Sequence, residues 1–318
     1  MSFASDARGE IARDACAHAC CARSEIAAAL LASGGISFRG KDRYALSLTA
    51  AEGAVVRRYF AMLKQFWSIT AEIRTLVVDA LGGRTRYQLV VPDEAAPALL
   101  AELGLRDEAA LFGVRQAPPP ELVRYACCRK SFLRGAFLMC GAVSNPEREY
   151  HLEFAAPTEE FANFVTDQVN YFEISAKTTC RKTKYVVYLK RAEEIADALT
   201  LMGASAAVLQ MENVRIAKDV RNRVNRQLNC DASNIDRIMN AAEAQARDIL
   251  YLDEEVGLDK LPKPLREIAR ARMENPDISL SALGELLSPP LGKSGVNARL
   301  RRLTELARKL REGEETGL

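Results

Sequence analysis

The chain is poor in the residues and spacings on which many enzymes, membrane proteins and metalloproteins depend. Two histidines and one tryptophan are present among 318 residues. No Ser/His/Asp or paired-carboxylate arrangement stands out, so catalysis lacks candidate residues. No stretch approaches the ~18 apolar residues of a membrane helix. The opening Met-Ser-Phe-Ala-Ser-Asp has no apolar run of the signal-peptide kind. A cytoplasmic chain with its eight cysteines reduced is therefore expected. Neither sign of charge dominates: 44 basic residues face 42 acidic ones, for a net charge of +2. Global charge thus names no partner, and local charge must be read instead.

Two suggestive motifs fail on spacing. No Cys-x-x-Cys pair exists, and zinc sites commonly show one. Cys16-Ala-His18-Ala-Cys20-Cys21 and its echo Cys127-Cys128 are therefore read as small residues ahead of packed helices, with no metal or cofactor expected. Gly292-Lys293-Ser294 resembles the end of a phosphate-binding loop. That loop needs a glycine five residues earlier, after a strand, whereas position 287 is leucine in a helical pattern. Nucleotide hydrolysis is excluded on this ground, and no small-molecule substrate is evident.

What the chain does have is a duplication. Ala19-Cys20-Cys21-Ala22-Arg23-Ser24 recurs as Ala126-Cys127-Cys128-Arg129-Lys130-Ser131, an offset of 107. The offset carries Ala29 onto Ala136, Leu31 onto Leu138, Gly34 onto Gly141 and Ser37 onto Ser144. After a one-residue slip, Tyr44-Ala-Leu-Ser-Leu matches Tyr150-His-Leu-Glu-Phe. Two similar halves around a pseudo-two-fold axis follow, and duplex DNA is a fitting two-fold partner.

Each half reads as helix, hairpin, helix, hairpin, helix. In the first, residues 25–33 are helical and stop at Gly34-Gly35. Residues 37–48 alternate as a hairpin with a charged tip at 40–43. Residues 51–65 show helical spacing, 69–78 and 85–91 form a second hairpin around Gly82-Gly83, and 93–103 a last helix. The second half repeats this through 130–140, 150–154, 158–170, 175–189 and 192–202, after a linker at Pro118-Pro119-Pro120. Beyond Met211 strand signals vanish. A basic helix is expected over 213–228, and another over 231–252 with Ile235, Ile238, Met239, Ala242, Ala246 and Ile249 on one face.

Residues 264–310 look like a helix-turn-helix. Asp277-Ile-Ser279 opens its second helix, which is expected to bury Leu280, Leu283, Leu286 and Leu287. The third places Val296, Leu300, Leu303, Leu306 and Leu310 at spacings of 4, 3, 3 and 4, one apolar stripe. Opposite stand Lys293, Ser294, Asn297, Arg299, Arg301 and Arg302, with Ser279 and Ser281 at the start of the preceding helix. Residues 293–311 hold seven basic side chains against one acid, Glu305. Lysine and arginine neutralise phosphates, and Asn or Arg near a helix N-terminus reaches base edges. The bland alternative is a small packing module with a solvated basic face.

The helices 25–34 and 132–141 resemble the LAGLIDADG helices of homing endonucleases. In that family two such helices meet at the pseudo-two-fold axis, and an acid before each terminal glycine binds a metal for strand cleavage. The resemblance narrows through Cys20-Cys21, Cys127-Cys128, Gly141-Ala-Val-Ser-Asn-Pro-Glu, Tyr150-His-Leu-Glu, Asn229-Cys230-Asp-Ala-Ser-Asn and Pro289-Pro-Leu-Gly-Lys-Ser-Gly-Val-Asn-Ala-Arg-Leu. Together these are similar to the WhiA family of bacterial regulators, over nearly the whole chain. The resemblance implies an α+β fold: a duplicated LAGLIDADG-like αββαββα domain, then an all-α helix-turn-helix domain. Divisions are expected at 1–117, 118–211, 212–258 and 259–318. It implies transcription regulation linked to cell division, chromosome segregation and, in sporulating relatives, sporulation, by a nucleoid-associated protein.

At the acid positions of the endonuclease pattern stand Ser33 and Cys140. Magnesium-assisted cleavage wants hard oxygen ligands, so no catalytic residues and no nuclease activity are expected. A metal-dependent homing-type endonuclease and a scaffold that does not read DNA stay as the alternatives. Residues 177–191 contain Lys177, Arg181, Lys182, Lys184, Lys190 and Arg191 with no acid, and Arg39, Lys41, Arg43, Arg74, Arg84 and Arg86 lie in the first half. These are either phosphate contacts or solubility devices on strand edges. Arg215, Lys218, Arg221, Arg223 and Arg226 form either a solvated helix face or a further phosphate-contacting helix. His151 is expected to be structural. The expected partner is double-stranded DNA, with regulatory proteins as a further possibility and no membrane.

Overall fold

Each repeat takes the order its patterning implies. In the computed structural model, which describes residues 2–33, 35–40, 43–78, 84–110, 113–181 and 184–314, the first repeat is α2 (Ala19–Ser33), β1 (Ile36–Phe38), β2 (Tyr44–Ala50), α3 (Gly53–Trp67), β3 (Glu72–Val78), β4 (Arg84–Val91) and α4 (Ala96–Glu102). The second is α5 (Ala126–Cys140), β5 (Gly141–Val143), β6 (Leu152–Ala156), α6 (Glu159–Asn170), β7 (Lys177–Arg181), β8 (Lys184–Leu189) and α7 (Ala192–Met202). The strand orders are β1-β2-β4-β3 and β5-β6-β8-β7, antiparallel throughout. Identical topology in both sheets is the duplication expressed as structure. Gly34, Lys41, residues 79–83 around the expected Gly82-Gly83 turn, and Lys182 lie outside the described residues.

Spatial contacts divide the chain into two units, Met1–Ala217 and Lys218–Leu318. In the first, both repeats contribute to one core. Strand β2 buries Tyr44, Leu46, Leu48 and Ala50 on alternate positions, as a period of two demands. Helix α2 is buried on every side, from Ser24 through Ala32, as a helix made of small and aliphatic residues can be. It packs on α5 so closely that a Cβ at Gly135 would lie 2.3 Å from the Glu25 carbonyl oxygen. On the far side of α5, Phe132 meets Phe161 and Phe164 at 5.8 and 5.0 Å between ring centroids.

A charged pair is sealed in this core. The Arg58 guanidinium donates to both Glu25 carboxylate oxygens, at 2.5 and 2.8 Å, and also to the Asp14 carbonyl. Bidentate geometry of this kind is what makes a buried pair tolerable.

Helix α1 (Phe3–Arg13) precedes the repeat and is an addition to the sequence reading. Ser2 caps it, accepting from the Ser5 amide at 3.3 Å, and Phe3, Ala7 and Ile11 bury one face at helical spacing.

The two helices expected over 213–228 and 231–252 are one. Helix α8 (Ser205–Glu255) runs unbroken for 51 residues. No glycine or proline occurs within it, so nothing interrupts the i→i−4 ladder at Asn229-Cys230-Asp231. In the second unit its Ala242, Ile249 and Leu252 are buried, whereas Ile235, Ile238 and Met239 are exposed, so the expected apolar face is covered only toward its C-terminal end.

Helices α9 (Lys263–Glu274), α10 (Leu280–Glu285) and α11 (Lys293–Arg311) follow. Leu283, Leu287, Val296, Leu300, Leu303 and Leu306 form their core with Ile249 and Leu252. Leu286 was expected inside and is 57% exposed. It follows the last residue of a helix too short to carry both leucines inward.

Candidate nucleic-acid interface

The helix-turn-helix is held by three local devices. The Ser279 hydroxyl accepts from the Ala282 amide at 3.3 Å and starts α10. Gly284 allows α10 to pass the chain entering α11: a Cβ there would lie 1.9 Å from the Leu291 carbonyl oxygen, and the Leu291 amide donates to the Gly284 carbonyl at 2.9 Å. The buried Arg272 guanidinium donates to the carbonyls of Asn275, Pro276 and Ile278, fixing the α9–α10 loop. Burial pulls its pKa below the usual arginine range.

On this frame, Lys293, Ser294, Arg301 and Arg302 are exposed, and Asn297 and Arg299 half-buried. Ser279, Ser281, Lys293 and Asn297 share the wall of one cleft with Arg237 and Gln245 of α8. Among the described residues no acid pairs with Lys293, Arg299, Arg301 or Arg302. The far end of α11 differs. Arg308 is gripped by Glu305 at 2.8 Å, by Glu312 and by Glu314 at 3.8 Å. Arg311 pairs with Asp248 at 2.9 Å and stacks on Tyr251. Among the described residues, unpaired positive charge on α11 thus gathers mainly at residues 293–302, with Lys309 the one further basic side chain outside an ion pair.

The ends of α2 and α5 carry the degenerate acid positions. The Ser33 hydroxyl donates to the Leu30 carbonyl and accepts from the Gly35 amide, both at 3.2 Å. Cys140 is half-buried, and burial pushes its thiol up to about 12. The Arg8 guanidinium of α1 donates to the Gly141 carbonyl at 2.6 Å and pairs with Glu52 at 3.3 Å. Glu147 and Glu149 stand exposed in the turn beyond Pro146, where Glu149 accepts from Ser144 at 3.1 Å. A hydroxyl, a neutral thiol and a guanidinium do not fit a magnesium ion, which takes hard anionic oxygens.

The other basic residues sort by partner. Lys177, Arg181 and Lys184 are exposed on the β7–β8 hairpin, with Arg181 3.8 Å from Glu153. Arg39 pairs with Asp93 at 3.2 Å, and Arg74 with Glu72 at 2.6 Å. On α8, Arg215 is held by Glu193 at 2.8 Å and Glu212 at 3.6 Å, Lys218 is half-buried, and Arg221 and Arg223 are exposed. His151 donates from Nε2 to the Glu153 carboxylate at 3.0 Å and stacks on Tyr188, in keeping with a structural residue.

One cluster was not anticipated. Cys20, Cys21, Cys127 and Cys128 bring their Sγ atoms within 4.8 Å of one another. They are the group of three or more His, Cys, Asp or Glu side chains so disposed to hold a metal among the described residues. Cys21 and Cys128 are buried, as expected of small core residues, but Cys20 and Cys127 are exposed. The available signal was the repeat itself: residues facing a pseudo-two-fold axis meet their own copies.

Three family models match successive stretches of the chain: the WhiA N-terminal LAGLIDADG-like domain at residues 19–106, the WhiA LAGLIDADG-like domain at 129–221 and the WhiA C-terminal helix-turn-helix domain at 224–307. A protein of Desulforamulus reducens described as a probable cell division protein WhiA is 40% identical over 316 residues, covering 99% of this chain and 98% of its own. One of Alkaliphilus metalliredigens with the same description is 38% identical, covering 96% and 98%. The crystal structure of full-length WhiA from Thermatoga maritima shares the fold with a TM-score of 0.59 at 22% identity, over 97% of this chain and 99% of that one. With matched models spanning both repeats and the helix-turn-helix, the chain belongs to the WhiA family.

Proposed function

We propose that this chain is a DNA-binding transcription regulator whose α11 grips duplex DNA and whose LAGLIDADG-like halves have lost strand cleavage. The observation that carries the reading is the split of charge along α11. Lys293, Arg299, Arg301 and Arg302 make no close ion pair among the described residues, Arg302 only sensing Glu305 one turn on, while Arg308 and Arg311 are taken up by acids. The apolar stripe through Val296, Leu300, Leu303 and Leu306 fixes which way the free residues point. Lys293, Ser294, Asn297, Arg299, Arg301 and Arg302 carry the main contact, with Ser279 and Ser281 reaching phosphates from the start of α10.

Lys177, Arg181, Lys184, Arg221 and Arg223 add sequence-independent phosphate contacts. Arg215 and Lys218 contribute less in this reading, since Arg215 is already paired. Lys182 belongs with the hairpin set by sequence.

The role is in cell division, as the relatives' descriptions suggest, with chromosome segregation and, in spore formers, sporulation as the resemblance implies. It is exercised in the cytoplasm on the nucleoid, in the company of regulatory proteins and without a small-molecule substrate. No helix among the described residues is long and apolar enough to cross a membrane. Functional divisions fall at 1–117, 118–211, 212–258 and 259–318.

The test is a gel shift and a cleavage assay with the full chain on duplex DNA selected from bound genomic fragments. Retarded, uncut duplex with magnesium present supports the reading. Magnesium-dependent cutting establishes a relict nuclease instead, and absence of retardation on every fragment leaves the scaffold.

A further inference from the structure

We propose that Cys20, Cys21, Cys127 and Cys128 form a structural zinc site that ties the N-terminal ends of the two LAGLIDADG-like helices together. All four Sγ atoms lie within 4.8 Å of one another, and those of Cys127 and Cys128 are 4.0 Å apart. A zinc tetrathiolate with bonds of about 2.3 Å has sulfur–sulfur edges of about 3.8 Å. The cluster therefore needs adjustments of under about 1 Å to close on one ion. A multi-iron cluster, with several metals inside the sulfur shell, needs the sulfurs set further apart.

The chemistry of the ligands points the same way. Thiolate is a soft ligand that selects zinc over magnesium or calcium. Each pair sits in the first turn of its helix, one residue past the helical start at Ala19 or Ala126. Two helix N-termini thus direct partial positive charge at a site whose four thiolates and zinc sum to −2. Arg129 follows Cys128 directly, and Arg23 follows Cys21 by two residues. Among the described residues no carboxylate or imidazole joins the cluster.

Binding exchanges up to four thiol protons for one Zn²⁺, with four Zn–S bonds formed and no oxidation. The metal must displace those protons, so its affinity falls as pH falls. The site joins two positions 106 residues apart, Cys21 and Cys127, and so links the first repeat to the second at the axis where they already touch.

The test uses the full chain purified with a non-thiol reductant and no chelator. Elemental analysis is expected to find about one zinc per chain, and replacement by Co²⁺ to give the intense visible bands of a tetrahedral tetrathiolate. Double substitution at the exposed ligands, Cys20→Ser with Cys127→Ser, is expected to lose the metal, while Cys180→Ser with Cys230→Ser keeps it. Thermal unfolding of the unsubstituted chain is expected to shift downward on chelation, a readout independent of the variants. Zinc well below one per chain after reconstitution overturns the proposal. So does metal retained by the Cys20→Ser, Cys127→Ser protein, or a disulfide among these four cysteines that excludes zinc from the freshly isolated chain.

Discussion

Gly135 of α5 rests against the Glu25 carbonyl of α2, with room for no side chain between them. Gly135→Ala would push a methyl group to 2.3 Å from that oxygen, so the two helices must separate. Overpacking of this kind costs about 1–3 kcal/mol. Trp67, the chain's one tryptophan, packs against the same core, and its fluorescence in a urea titration would report the earlier unfolding midpoint.

Glu25→Gln is expected to be more damaging. It leaves the Arg58 guanidinium buried without its counter-charge, a loss of about 3–5 kcal/mol for a sealed pair. Replacing both partners with apolar residues, Glu25→Leu with Arg58→Met, should recover most of that. Unfolding midpoints of the single and double variants measure the difference.

Arg301→Ala and Arg302→Ala are expected to weaken operator binding by about 1–3 kcal/mol each if they read guanines, or to lower the salt slope by about one if they contact phosphates. Arg308→Ala should leave affinity within about twofold, because exposed acids already occupy that side chain. Titrations at several salt concentrations separate the three outcomes.

Gly284→Ala is expected to unfold the second unit locally and abolish binding, since its Cβ would lie 1.9 Å from the Leu291 carbonyl oxygen. Amide exchange over α10 and α11 would rise, with the first unit unaffected.

Cys140 should alkylate far more slowly than exposed Cys230 at pH 8. Its raised pKa of about 12 leaves almost no thiolate there. The rate should climb as pH rises toward that value. Mass spectrometry of iodoacetamide-treated protein, timed at several pH values, checks the order.

Much of this architecture was legible in the sequence. Alternation placed β2, the repeat carried the pattern over to β6 and β8, and the leucine spacing of α11 named its buried stripe. Misreadings share a cause: patterning reports what a segment prefers, not what covers it. Leu286 and Ile235 look like core residues by spacing, yet both stand more than half exposed. Separate helices over 213–228 and 231–252 were expected, but with no glycine or proline between them α8 runs straight through. Helix α1 was overlooked because its apolar residues, Phe3, Ala7 and Ile11, are few and separated. The four cysteines were dismissed because metal spacing was sought along the chain, when their proximity arises across the axis between repeats.

The all-round burial of α2 has a consequence for how this protein can be divided. A helix with no wet side is insoluble company for itself. Severed near Pro119, the first repeat would present an oily rod to solvent and seek a twin to cover it. Gene duplication with fusion supplies that twin permanently and in a fixed one-to-one ratio. The two copies now differ at this contact: one holds Glu25 in its ion pair with Arg58, and the other sets Gly135 against the Glu25 backbone carbonyl.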